Sequence, residues 1–499
     1  KVVDDAHDRV DAAHEHAHHK HTAQRVDQHG AQAADAFWEL FGDLFQEKDY
    51  ITGHKASQQG SQETTGNAIH LAVQQAGKVS AVHSQHTAGK ADSQSGFTGN
   101  GNGNVRSQDG QHVVEYSGAD RLKECGSGLV MELHYHVFEE CNVITRYTKL
   151  INNTDAAVRI DKMMSCQIDM PDAEYDFVTF DGAWAREMQI SNVPVSHSRL
   201  VNSSYTGTSS SRANPFVMLA RQQTTETAGE CYGFNLVYSG NHYESVQAGA
   251  YGKMRFMSGI NPENFAWTLE PGEEFETPEA VMTYSYEGYN GLSGHMHDFV
   301  REHIVCGKWK NKVRPVLLNS WEACYFNINE HKLLNLARKA ADMGTELFVM
   351  DDGWFGKRDD DLAGLGDWTV DPEKFPNGLQ SMISRINELG LDFGIWVEPE
   401  MINPNSDLYR KHPDWVLNFP NRERTEWRNQ LTLNLAREDV YQYLLKSMTD
   451  LLAQNNIKFV KWDRNRGLTQ PGWPEADRRI QREVRVRYME NLYRLVETL

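Results

Sequence analysis

Five carboxylates and two cations recur at equivalent places in a repeating pattern: Asp351 and Asp352, Glu398 and Glu400, and Asp463, with Lys461 and Arg466 interleaved. Each group closes a short apolar run. Carboxylates that converge on one pocket repel, so each needs a cation, a metal or a hydrogen-bonding ligand. A divalent metal site would need them as inward ligands around a single point. Phosphate is disfavoured by the shortage of glycine-rich loops at helix starts. A polyhydroxylated ring fits best. Carboxylates accept from vicinal hydroxyls, while Trp321, Trp354 and Trp396 offer apolar faces to the C–H side of a sugar. Lys461, two residues before Asp463, shares its strand face and is expected to lower its pKa, keeping an ionised nucleophile.

The elements that must position these residues are four apolar runs, each followed by an amphipathic helical segment. The runs cover 315–321, 347–354, 393–400 and 457–463. Strands alternating with helices predict βα units and a parallel sheet. Polar side chains clustered just past the strand ends predict a (β/α)8 barrel, whose active site lies at that face. Four units make half of such a barrel. The helices are expected over 330–343, with Leu333, Leu336, Ala337 and Ala340 inward, and over 379–389, where Gly390 is the C-cap. Further helices are expected to start at Asn403-Pro404-Asn405, to span 437–454, and to begin near Glu475. A long Gly- and Asp-rich loop, 355–377, shapes the pocket.

Upstream, residues 111–290 alternate apolar with polar positions between turn signals and predict an antiparallel β-sandwich. A helical linker spans 291–313, and 314–499 is the N-terminal half of the barrel. Residues 1–110 form an atypical His-, Gln- and Gly-rich low-complexity segment. There His14 and His18 have the i, i+4 spacing of metal ligands, but no cysteine or carboxylate closes a coordination sphere, so a solvated polar segment is the favoured reading. The net charge of −19 and pI near 5.5 exclude a basic nucleic-acid surface. No apolar run reaches the roughly 18–20 residues of a membrane span, and the start has no signal-peptide pattern. Six cysteines lack CxxC spacing, which argues for reduced thiols and a cytoplasmic protein.

Trp321 after Leu-Asn-Ser, Asp351-Asp352-Gly353-Trp354, Trp396-Val397-Glu398-Pro399-Glu400 and Lys461-Trp462-Asp463-Arg464-Asn465 together resemble the α-galactosidases of glycoside hydrolase family 36 (clan D). The resemblance covers 290–499 strongly and the β-rich region from 111 as well. It implies an N-terminal β-supersandwich followed by the catalytic barrel, and a retaining hydrolysis of terminal α-galactosyl groups in melibiose- or raffinose-type sugars. Asp463 would be the nucleophile. Asp351 and Asp352 would hold the 4- and 6-hydroxyls, Lys461 and Arg428 hydroxyls near the reaction centre, and Asn465 the 2-hydroxyl. Trp321 and Trp396 would wall the pocket. For Arg428 the plain alternative is an ion pair with Glu426 or a barrel carboxylate. Glu398 and Glu400 are expected to support Lys461 or Arg428. The family's acid/base lies on a later strand in a Cys- and Gly-rich motif that does not occur before Leu499, so the chain is expected to be part of a longer enzyme. No metal or cofactor is implied, and the family often forms tetramers. The same scaffold suits an α-N-acetylgalactosaminidase, a galactosyl transferase, or a non-catalytic carbohydrate-binding fragment.

Overall fold

The computed structural model describes residues 105–106, 113–114, 116–123, 127–210 and 212–499. Apart from the two-residue strand Val105–Arg106, the low-complexity segment 1–110 and the His14/His18 pair lie outside the described residues.

Four parallel strands carry the site: β1 (Leu317–Asn319), β2 (Leu347–Met350), β3 (Asp392–Val397) and β4 (Phe459–Trp462), side by side in chain order. Register pairs Val349 with Gly394, and Trp396 with Lys461. β2 and most of β3 are buried on both faces, which explains their unbroken apolar runs. Helices α1 (Glu330–Asp342), α2 (Gly378–Asn387) and α3 (Glu438–Gln454) make the crossovers, and α4 (Val484–Thr498) follows β4. The start of α1 is set by Asn329, whose side chain accepts from the Lys332 N–H at 2.9 Å, satisfying one of the free donors of a helix N-terminus.

Before these strands lies a sandwich. Its larger sheet runs, in spatial order, through Tyr116–Lys123, Leu129–Phe138, Val143–Asn152, Ala280–Ser285, Cys231–Leu236, Phe216–Ala220, Asp176–Ala183 and Arg186–Pro194, with Glu274–Glu276 also pairing Val143–Asn152. The second sheet is Leu200–Ser203, His242–Ala248, Met254–Ile260 and Met164–Met170. Their inner faces meet where Phe234 stacks on Phe256, with centroids 4.0 Å apart. Full burial of each such ring contributes about 1.5–3 kcal/mol. The helix Gly288–Phe299 and a π-turn, Val300–Ile304, lead to the parallel strands.

The sandwich and the parallel unit share one apolar core, which joins Leu133, Phe256 and Leu269 to Leu444, Leu468, Tyr488 and Leu495. At the joint, Gly207 adopts φ +83°, and a Cβ there would sit 2.4 Å from Leu468 Cγ. Only glycine permits that approach. The Leu468 N–H donates to Thr206 O at 2.7 Å, fastening the chain after β4 to the sandwich.

Several local expectations need correction. α1 buries Leu334 as well as Leu333, Ala337 and Ala340, while Leu336 packs part-buried against the same core. The helix expected from Asn403 starts at Asp407, because Ser406 supplies the capping oxygen to the Tyr409 N–H. The final helix begins at Val484, since Asp477 caps a 3-10 turn over Arg478–Arg482 first. The C-terminal residue of α2 is Asn387, and Gly390 follows in a left-handed conformation, φ +85°. Among the described residues, no helix is long and apolar enough to cross a membrane, and Cys141, Cys166, Cys231, Cys306 and Cys324 are free thiols.

Candidate active site

Residues leaving the C-terminal ends of β1 to β4 meet in a hydrogen-bonded cluster. After β2, the carboxylate of Asp351 receives the Asn319 side-chain amide from the end of β1 at 2.7 Å and the Lys461 ammonium at 2.7 Å, both on Oδ2. Its own N–H donates to Ser320 Oγ at 3.0 Å. Lys461 therefore pairs with Asp351 and not with Asp463, the partner expected from strand spacing. In a barrel, side chains of one layer come from alternate strands, and β2 and β4 stand in that relation.

Asp463 is held by uncharged donors. Its Oδ2 accepts from Trp396 Nε1 at 3.0 Å and from Asn465 Nδ2 at 2.9 Å, and its Oδ1 accepts from the Arg464 N–H at 2.9 Å. The Asp463 N–H in turn extends the β3–β4 ladder to Val397 O. The side chain is half-buried, so the carboxylate is both fixed and reachable. Oδ1 has a single protein donor here, which leaves it the freer oxygen.

Arg428 donates to Asn465 Oδ1, so the ion pair with Glu426 considered from the sequence is not its contact. It sits in a two-residue turn. Trp427 and Gln430 exchange backbone hydrogen bonds, and Arg428 and Asn429 both take left-handed conformations, φ +54° and +57°. That is the geometry of a type I′ hairpin turn, which ordinarily takes Asn or Gly. The turn is pinned from outside. Asn403 Nδ2 donates to Asn429 O at 2.7 Å, and the Arg466 guanidinium donates to the carbonyls of Thr425 and Gln430.

Glu398 and Glu400 support neither Lys461 nor Arg428, contrary to expectation. Glu398 is fully buried. Its Oε1 accepts from the Asn465 N–H at 2.6 Å and its Oε2 from Gln430 Nε2 at 3.1 Å, so it anchors the backbone beside Asp463. Burial, with the charge of Asp463 nearby, pushes its pKa up to about 7 against the opposing pull of the Asn465 hydrogen bonds. Glu400 takes the Trp462 indole at 3.1 Å, the Tyr488 hydroxyl at 2.6 Å and Arg464 at 3.1 Å, joining β4 to α4.

Asp352 lies behind Asp351, buried, with its carboxylate bound by Arg358 through Nε at 3.0 Å and Nη2 at 2.8 Å. Burial raises its pKa against the pull of that guanidinium. Arg358 is itself buried and also donates to Ala363 O and Asn403 Oδ1. The long loop after β2 thus supplies the counter-charge that the sequence left open. Its Arg358 was legible only as a polar residue in a Gly- and Asp-rich stretch. Asn319, Gln430 and Asn403 were missed for the same reason: an amide signals no chemistry until its neighbours are known.

The indoles divide. Trp321 is half-buried, edge-on to Tyr325 and Phe326. Trp354 is fully buried against Phe355 and Trp368 and donates to Trp396 O. It therefore presents no face to a ligand, contrary to the sequence expectation. Trp396 is also buried, stacked parallel to Phe355, with its Nε1 aimed at Asp463. Away from the site, Glu140, Cys141 and His303 are the group of metal-type donors among the described residues. A His303–Glu140 contact of 2.7 Å accounts for their proximity.

An antiparallel sandwich leading into parallel βα units with strand-end carboxylates is the architecture of a glycoside hydrolase class. The family model described as "Glycosyl hydrolase family 36 N-terminal domain" matches residues 56–270 and that described as "Melibiase" matches residues 274–499. The chain belongs to glycoside hydrolase family 36. It is 46% identical over 372 residues to alpha-galactosidase AgaA of Geobacillus stearothermophilus, covering 74% of this chain and 51% of that protein. It is 42% identical over 384 residues to alpha-galactosidase C of Emericella nidulans, covering 75% and 50%. The crystal structure of AgaA superposes with a TM-score of 0.76 at 45% identity over 77% of this chain and 53% of that one. AgaA variants have been solved in complex with raffinose and with stachyose. The chain spans about half the length of the curated relatives it matches.

Proposed function

We propose that the protein carrying this chain is a retaining α-galactosidase acting on oligosaccharides with a terminal α-galactosyl group. The observation that carries the reading is Asp463, a half-buried carboxylate fixed by Trp396, Asn465 and the Arg464 N–H at the end of a parallel strand. Neutral donors orient the carboxylate without cancelling its charge as a cation would, which suits a nucleophile. In the proposed reaction Asp463 Oδ1 attacks the anomeric carbon. The glycosidic bond breaks, its electron pair leaves with the leaving-group oxygen, and a general acid protonates that oxygen. Water then displaces the aspartyl ester with a second inversion. Asp351 and Lys461 form a charge-assisted pair able to accept from and donate to ring hydroxyls. Glu398 and Glu400 are buried and bound elsewhere, so the general acid is proposed to come from parts of the complete protein outside this chain. A cytoplasmic, tetrameric enzyme is the accompanying proposal, supported by composition and family resemblance and tested by fractionation and light scattering.

The test is chemical rescue in the complete protein. Asp463→Ala should lose turnover of nitrophenyl α-galactoside, and added azide should restore nitrophenolate release by attacking the anomeric carbon, giving β-galactosyl azide. Turnover at the wild-type rate without azide would remove Asp463 from the mechanism.

A further inference from the structure

The turn that carries Arg428 also presents Trp427, and its role is not explained by anything above. Trp427 and Gln430 are directly opposed in an antiparallel bridge, so their side chains leave the same face with Cβ atoms about 5 Å apart. Gln430 points inward to Glu398, which holds the backbone of Asn465 beside the candidate nucleophile. Trp427 leaves that same face yet remains 37% exposed. Its ring is not loose. The guanidinium of Arg212, from the sandwich, lies 5.1 Å from its centroid. A cation over an indole fixes the ring, and the exposed part of the ring is an apolar surface.

The same sandwich loop is fastened to the chain after β4 through Thr206 and Leu468, so Arg212 approaches on a fixed mount. A large exposed indole on a rigid turn, one residue from Arg428, is poorly explained by packing alone. Its flat apolar face is complementary to the C–H face of a pyranose or furanose ring. Asp351, Lys461 and Asp463 lie at the strand ends, whereas Trp427 stands on a turn whose Arg428 reaches back to Asn465.

We infer that Trp427, braced by Arg212, forms a subsite for the sugar ring on the leaving-group side of the scissile bond. This rests on the hydrolytic reading above and narrows it to substrates whose leaving group is itself a sugar. The sandwich then takes part in substrate selection through Arg212.

The experiment compares raffinose, whose leaving group is a disaccharide, with α-galactosyl fluoride, whose leaving group has no ring. The complete protein and its Trp427→Ala, Trp427→Phe and Arg212→Ala variants are assayed on both. The ratio of kcat/KM for raffinose to that for the fluoride should fall roughly ten-fold in Trp427→Ala. It should recover most of that loss in Trp427→Phe and fall by a smaller factor in Arg212→Ala. An unchanged ratio in Trp427→Ala overturns the subsite. So does an equal loss on both compounds, which would make Trp427 a prop for Arg428. A wild-type protein inert toward both compounds overturns the hydrolytic reading itself, a result distinct from either of these.

Discussion

Glu398→Gln offers a test of the site's electrostatics that needs no substrate. The wild-type carboxyl has its pKa raised from the ordinary 4.5 to about 7 by burial. Between those values the folded protein keeps a proton that the unfolded chain has lost. Stability therefore falls as pH rises through that window, and the full loss is reached above the folded pKa. At about 1.4 kcal/mol per unit, the rise corresponds to roughly 3 kcal/mol. The glutamine variant has nothing to ionise at this position, so its stability curve lacks this decline. The new amide keeps an oxygen for the Asn465 N–H. Its nitrogen would face Gln430 Nε2, but Gln430 Oε1 is buried without a partner, and a flip of the Gln430 amide supplies the needed acceptor. The pH-independent cost is then that of exchanging the neutral carboxyl's hydrogen bonds for those of an amide, about 1 kcal/mol. In urea unfolding of the complete protein, the variant should be slightly less stable than wild type at pH 4.5 and more stable at pH 8. The difference should swing by about 3 kcal/mol in total. A difference that stays constant between the two pH values would refute the buried, high-pKa description of Glu398.

Other perturbations probe separate contacts. Arg358→Met strands the Asp352 carboxylate in a buried site and should cost about 3–5 kcal/mol by urea unfolding, whereas a change of less than about 1 kcal/mol would mean that Asp352 is solvated. Lys461→Met removes the cation from Asp351, and because Lys461 is partly exposed its main effect should be on turnover. A roughly 10- to 100-fold fall in kcat/KM for nitrophenyl α-galactoside is expected, the worth of one charge-assisted hydrogen bond. Gly207→Ala forces both a left-handed alanine and a clash with Leu468, so the melting temperature should fall by several degrees, for a loss of about 2 kcal/mol or more.

How much of this was legible beforehand depended on whether a residue's meaning is local. The strand ends announced themselves because an apolar run followed by carboxylates is a pattern within a few residues. Asp351, Asp463 and Trp396 could be picked out on that basis, and four such motifs in order carried the family. Pairing across strands could not be read. Lys461 shares a strand face with Asp463, yet its ammonium lies on Asp351, because layer mates come from alternate strands. Trp354 and Trp396 looked like sugar platforms by type, but the depth at which each indole sits is set by the loop after β2, which packs Phe355 and Trp368 over them. The sandwich was visible as alternation. Its hairpin over 176–194 was not singled out, and there alternation and burial part company: Met188 and Ile190 alternate along the second strand, yet both are exposed.

The turn at Arg428 and Asn429 has a thermal consequence. A left-handed arginine costs about 1–2 kcal/mol, and here it is held by the paired backbone hydrogen bonds of Trp427 and Gln430 and by contacts from Asn403, Arg466 and Asn465. Contacts of this kind are expected to loosen on warming before the shared core does, which gives the arginine a downhill path to a right-handed conformation. Activity should accordingly fade a few degrees below the cooperative melt seen by circular dichroism, and return in full on cooling. Heat would disarm the site while leaving the chain folded.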